Sequence, residues 1–337
     1  MRLSLTLLCI ITSAALLSGC GGSNNGGVVL NGSGATFPAP VYASWSYQYG
    51  ISSSGRVQVN YQGVGSGAGV NQLKEGTVDF AGTDSPLTAE ELEESQLVQI
   101  PMVGGGVVIV VNLPNVKTNQ LNISPSVLAD IFAGKIKQWN AAEIQTDNPQ
   151  IQLPNLPITV VHRSDASGTS FLFTHYLSKV SESWKNEIGT GKTVAWACGI
   201  GGQKNPGVCN NVSKINGAIG YTEYTYAVEA KLSCAKLKNA AGNFIAPTPE
   251  SFSAALESVD WKSAPGNCVI LTDALGDKSY PLAAISYLLY RNNLAQEKQA
   301  ALFDYINWCF GSGNQQAKEL HYIPLSGKLV KGIYKQE

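Results

Sequence analysis

Charge is scarce in this chain: 14% of its 337 residues are Asp, Glu, Lys or Arg, and the formal net charge is −1. That argues against a nucleic-acid surface and against long-range steering of an anion. Any anion it binds must be held by local dipoles and hydrogen bonds. Histidine is rarer still, and His162, His175 and His321 each read as surface or structural groups. There is no Cys-x-x-Cys and no His/Cys cluster, so neither a metal site nor a cofactor is implied. The Gly-x-Ser-x-Gly elbow of serine hydrolases is missing too. Beyond residue 17 no apolar run approaches the roughly 20 residues of a membrane span.

What is present begins with Met1-Arg2 and an apolar run from Leu3 to Leu17, too short for a permanent anchor and suited to a signal peptide over residues 1–19. It ends in Leu17-Ser18-Gly19-Cys20, which resembles the lipobox of bacterial lipoproteins, where the cysteine is acylated and becomes the new N-terminus. Residues 20–27, rich in Gly, Ser and Asn, read as a flexible tether. The expectation is an exported protein, in the periplasm or at the cell surface, that meets the membrane only through lipid on Cys20.

The remainder is longer than one core usually accommodates, so two domains are expected. Short apolar strands alternate with helical segments, which implies α/β architecture. Strands are expected at 57–61, 78–82, 107–111, 158–161, 217–221 and 284–290, and helices at 41–49, from 70, from about 88, at 127–132, 171–177 and 301–310. An oxidising compartment permits disulfides, and nearest-neighbour pairing would join Cys198 to Cys209 and Cys234 to Cys268. Cys309, on an amphipathic helix, is expected to be a buried free thiol.

The most informative stretch is Arg163-Ser164-Asp165-Ala166-Ser167-Gly168-Thr169-Ser170, where a strand gives way to a helix. The first N–H groups of a helix lack intrahelical acceptors and mark its positive end. Two hydroxyls, a glycine and an arginine added there suit a small oxyanion. Asp165 is the odd element, tolerable if Arg163 neutralises it or if the ligand gives it a proton. Three distant junctions share this chemistry: Gly32–Pro40, Gly63–Gly69, and Val78–Gly82 running into Thr83-Asp84-Ser85-Pro86. Each alone is more simply a turn and cap of an ordinary helix, and Asp84 by itself reads as such a cap. Gly189-Thr190-Gly191-Lys192-Thr193 mimics the end of a P-loop, but Asn186 stands where its first glycine belongs and the segment before it reads as helix.

Taken together, Gly34–Tyr42, Asn60–Gly67, Val78–Asp84, Gly134–Trp139, Arg163–Phe171 and Gly217–Tyr224 resemble, in order, the motifs of the phosphate-binding component of bacterial phosphate-specific (Pst) ABC transporters. The resemblance covers about residues 28 to 337. It implies a type II periplasmic-binding-protein fold, with lobe I at 28–104 plus 284–337, lobe II at 105–283, and two hinge crossings near 105 and 281. It also implies that inorganic phosphate is held by Thr36, Phe37, Ser66, Asp84, Arg163, Ser167, Gly168 and Thr169, with Asp165 orienting Arg163. His162 departs from the pattern where a second arginine is common, and Ala166 where a glycine is. The implied protein is no enzyme but a monomeric receptor that hands phosphate to ABC permease subunits. A receptor for another oxyanion or a phosphate-binding surface protein is the alternative. A phosphatase-like enzyme stands behind both, since it would need a nucleophile and a metal site.

Overall fold

The computed structural model describes residues 27–258 and 264–325. The signal peptide, Cys20 and most of the tether lie outside the described residues. The chain opens with β1 (Val28–Gly34), α1 (Ala39–Ser52), β2 (Val57–Gly63), α2 (Ser66–Lys74), β3 (Phe80–Thr83) and α3 (Ala89–Ser95), then the 16-residue strand β4 (Leu97–Asn112). Proline in the first turn suits the start of α1. Helix α3 is opened by a capping box in which Thr88 accepts from Glu91 N–H and Glu91 reaches back to Thr88 N–H. Thr88, not Asp84, is therefore the cap.

The middle of the chain contributes β5 (Asn122–Ile123), α4 (Pro125–Phe132), α5 (Ala142–Asp147), β6 (Thr159–Arg163), α6 (Gly168–Val180) and α7 (Glu182–Glu187). It continues with β7 (Ile200–Gly202), α8 (Lys204–Lys214), β8 (Ala218–Glu223), α9 (Tyr224–Glu229), β9 (Ser233–Cys234), β10 (Lys236–Lys238), β11 (Phe244–Ile245) and α10 (Pro249–Glu257). The C-terminal part adds β12 (Ala283–Arg291), α11 (Gln296–Phe310), α12 (Asn314–Glu319) and β13 (Ile323–Pro324).

One sheet runs β2-β1-β3-β12-β4-β8-β6-β7, and β9 and β13 also pair with β4. Strands β5, β10 and β11 form a small separate sheet. The pairs β1–β2, β1–β3, β6–β7 and β6–β8 are parallel, whereas β4 is antiparallel to both β12 and β8. Along β4 the partner changes: residues 97–106 pair with β12, and from Val107 onward the partner is β8. The sheet thus has two halves sharing one strand. Val107 to Val111 is buried throughout, as a continuous run of β-branched residues between covering layers requires.

At the point of change stand Gly104, Gly105 and Gly106. A Cβ at these positions would lie 2.6 Å from Leu256, 2.9 Å from the Phe37 ring and 2.2 Å from the Phe252 ring, respectively. Large side chains use the space a side chain on β4 would take.

The expected disulfides are not formed. Cys198, Cys209, Cys234, Cys268 and Cys309 are all free. Cys198 Sγ packs 3.6 Å from the carbonyl of Phe132 at the end of α4, while Cys209 Sγ contacts Thr222 Oγ1 at 3.5 Å. These neighbours in sequence are drawn to different partners, and burial pushes the Cys209 thiol up to about 11, away from the reactive thiolate. Cys309 is buried in α11, as expected.

Candidate anion site

The four junctions meet at the ends of strands β1, β2, β3 and β6. Gly34, at the end of β1, has φ of 140°, and its carbonyl accepts from Val64 N–H at 2.9 Å and Gly65 N–H at 2.8 Å. That ties the loop after β1 to the loop after β2. The loop after β2 then touches the loop after β6: Gly67 N–H donates to the Ala166 carbonyl at 3.0 Å, and Gly168 N–H donates to Ser66 Oγ at 3.2 Å. Both bonds join the two halves of the sheet.

Ala166, the departure from the pattern, fits here because its methyl faces Gly67, where an added Cβ would lie 2.6 Å away. Its other neighbour in the pattern, His162, stacks on Trp196 with ring centroids 4.8 Å apart and bonds the Arg163 carbonyl at 3.0 Å. It serves packing there.

Arg163 is the last residue of β6 and is 3% exposed. Asp165 grips it with both oxygens, Oδ1 to Nε at 2.8 Å and Oδ2 to Nη2 at 2.5 Å. Such a fork fixes the plane of the guanidinium and leaves Nη1 to point elsewhere. Nη1 reaches Thr169 Oγ1 at 3.4 Å and Asn205 Oδ1 at 3.2 Å. Burial alone would raise the Asp165 carboxyl, but the bonds and charge of Arg163, with a further bond from Lys204 N–H, hold it below the usual carboxylate range. Ser167 caps α6 by accepting from Ser170 N–H at 3.1 Å, and Gly168 opens the helix.

Asp84 follows β3 and is 1% exposed. Its Oδ1 accepts from Ser286 Oγ of β12 at 2.8 Å, while Oδ2 has no hydrogen-bond partner. A Cβ on Gly168 would lie 2.5 Å from Ser66 Oγ and 2.8 Å from Asp84 Oδ2, so that glycine sits between them. Burial pushes the Asp84 carboxyl up to about 7, against the opposing pull of the Ser286 bond and the Arg163 charge. Thr36 Oγ1 and Asn205 Nδ2 are further buried polar atoms without partners. Phe37 is fully buried, and its carbonyl accepts from Tyr322 Oη at 2.6 Å.

All eight expected ligand residues therefore lie at or beside this meeting of loops. Two neighbours escaped the sequence reading. Asn205 lies in the first turn of α8, just after β7 ends in Gly201-Gly202, a junction of the same type as the other four. Ser286 is the one hydroxyl between Ala283 and Ile285 on one side and Tyr287 to Leu289 on the other, a polar break in an apolar strand. Either signal was available. Among the described residues no group of His, Cys, Asp and Glu could hold a metal ion.

A family model described as a PBP superfamily domain matches residues 21–312. The phosphate-binding protein PstS of Xylella fastidiosa is 42% identical over 352 residues, covering 97% of this chain and 95% of its own. That of Pasteurella multocida is 47% identical over 308 residues, covering 91% and 89%. Among solved structures, a phosphate-binding protein from Stenotrophomonas maltophilia aligns with a TM-score of 0.67 at 22% identity, over 91% of this chain and 93% of its own. At that identity the likeness speaks for the fold, which is the two-lobed α/β fold of periplasmic binding proteins. The chain belongs to this superfamily and, within it, to the PstS family of phosphate-binding proteins.

Proposed function

We propose that this protein binds inorganic phosphate outside the inner membrane and delivers it to an ABC permease for uptake. The observation that carries the reading is Asp84, a buried carboxylate with one oxygen held by Ser286 and the other unpartnered beside Gly168. Phosphate near neutral pH always keeps a proton to donate to that oxygen, and sulfate keeps none. Facing sulfate, the ionised carboxylate would be an acceptor against an acceptor, so the preference for phosphate should be sharpest above about pH 7, where Asp84 is ionised. Arg163 supplies the positive charge. Phe37 donates its backbone N–H, Gly168 does so on releasing Ser66 Oγ, and Thr36, Ser66, Ser167 and Thr169 donate hydroxyls, with the amides of all but Ser167, whose N–H is held by the Lys192 carbonyl. Asp165 only holds the arginine. The bonds of Ser66 and Gly67 to Gly168 and Ala166 support a cleft in which lobe I (28–104 plus 284–337) and lobe II (105–283) close on the anion.

In this reading the protein is a monomeric receptor with no catalysis of its own, exported and anchored by lipid on Cys20. No helix among the described residues is long and apolar enough to cross a membrane. Titration calorimetry with phosphate and with sulfate tests the reading: phosphate should bind at least about a hundredfold tighter. Equal affinities would favour the receptor for another oxyanion. Metabolic fatty-acid labelling tests the anchor, since Cys20→Ala should lose all label, and undiminished labelling would refute it.

A further inference from the structure

We infer that Tyr226 is a positioning residue for the anion site, one whose hydroxyl crosses between the halves of the sheet to aim the Phe37 N–H. The inference rests on the phosphate reading above. Tyr226 belongs to α9, directly after β8, whereas Thr36 and Phe37 follow β1 at the far side of the shared strand. Its phenol O–H donates to the Thr36 carbonyl at 2.8 Å.

That carbonyl and the Phe37 N–H belong to one peptide group. In a trans peptide the two point to opposite sides of a rigid plane, so fixing the oxygen fixes the direction of the N–H. Donation into the oxygen also polarises the peptide and makes its N–H a stronger donor. The Thr36 carbonyl accepts a second bond from Ala39 N–H at 3.2 Å, and the Phe37 carbonyl accepts from Tyr322 Oη at 2.6 Å. The Ala39 bond closes a local turn before α1 and does not reach the other half. Tyr322 follows α12, in the C-terminal segment that packs α12 on α1. Of the two bonds to the Thr36 carbonyl, that from Tyr226 alone comes from the β8 side, and the Tyr322 bond restrains the next peptide. Helix α9 is held to β8 by its cap, where Glu223 accepts from Thr225 N–H at 2.9 Å, and is tied to the C-terminal segment by Thr225 Oγ1, which donates to the Leu320 carbonyl at 2.7 Å.

A bond between halves forms when the halves meet, so it should slow escape of the anion rather than speed its arrival. Tyr226→Phe, which removes only the hydroxyl, should raise the phosphate Kd about fivefold, the loss expected for one neutral hydrogen bond. Stopped-flow kinetics should find that increase in koff, with kon within about twofold of wild type. The 13C resonance of the Thr36 carbonyl responds to bonds at both ends of its peptide, so the difference in its phosphate response between wild type and Tyr226→Phe reads the tyrosine bond. Phosphate should move that resonance in wild type and much less in Tyr226→Phe. The unfolding midpoint of the ligand-free variant should match wild type. A variant with unchanged koff, or with an unchanged Thr36 response, overturns the inference, and so does a lowered ligand-free midpoint with unchanged koff, which would mark a packing role. Failure of wild type to bind phosphate would overturn the phosphate reading itself and this inference with it.

Discussion

The site holds two aspartates on opposite halves of the sheet, and their environments push them in opposite directions. Asp165, beyond β6, is clamped by Arg163 and held below the usual carboxylate range. Asp84, beyond β3, has only a serine hydroxyl on one oxygen and is pushed up to about 7 by burial. One half therefore brings a permanent positive charge whose counter-charge is fully engaged, and the other brings a group poised to exchange a proton. The difference teaches that attraction and discrimination are separate tasks here. In the proposed reading Arg163 attracts any oxyanion, and Asp84 reads whether that oxyanion carries hydrogen.

The sharpest way to break this comparison is to delete the charged side. Arg163→Ala should weaken phosphate binding by roughly 1.5–3 kcal/mol, against about 1 for Thr36→Ala, because a charged donor is lost in the first and a neutral one in the second. Calorimetry on both variants decides it, and equal losses would mean that Arg163 does not touch the anion. Asp84→Asn addresses the other side. Its amide can turn an N–H toward an unprotonated oxygen, so the preference for phosphate over sulfate should narrow at fixed pH and salt. Phosphate affinity itself should fall less, since a negative charge has gone as well. An unchanged ratio of the two dissociation constants would make Asp84 a structural group.

The smallest effect is on stability. Asp84 sits above its ordinary 3.8, and Glu223, buried at the end of β8, is pushed by burial from 4.5 up to about 8. The folded state then binds more protons than the unfolded chain between about pH 4 and 8, so the contribution of these groups is full below about 4 and is lost as the pH rises through the folded values. Urea midpoints of the ligand-free protein should fall from pH 4.5 to 8.5, and Glu223→Gln should flatten the fall. The same slope in variant and wild type would show that Glu223 does not titrate in that window.

Much of this was legible in residues alone. Arg163 to Ser170 carries strand end, cap, glycine and charge in eight consecutive positions, and local chemistry of that kind survives folding. Helix and strand positions were also readable, although their ends were not: the strand expected at 107–111 is the second part of β4, which begins at Leu97. Pro101 and three glycines break the apolar pattern there, and the pairing with β12 that overrides them is remote in sequence. The cysteines were misread because spacing along the chain says nothing of which face each thiol takes. Asn205 and Ser286 left a local signal in the sequence, a glycine junction and a polar break, but their partners Arg163 and Asp84, like the Thr36 partner of Tyr226, appear only when the strands are laid side by side.

The three glycines of β4 carry a mechanical meaning beyond close packing. A strand shared by two bodies is their common axle, and here the ring that fills the groove at Gly105 is that of Phe37, whose own N–H is one of the proposed donors to the anion. If Phe37 holds the anion as proposed, bending the axle and moving the Phe37 amide are geared together through one aromatic ring. A methyl group added at residue 105 would push on the Phe37 ring rather than on the cleft's contents, so on the proposed reading the grip on the cargo would depend partly on the thickness of this strand.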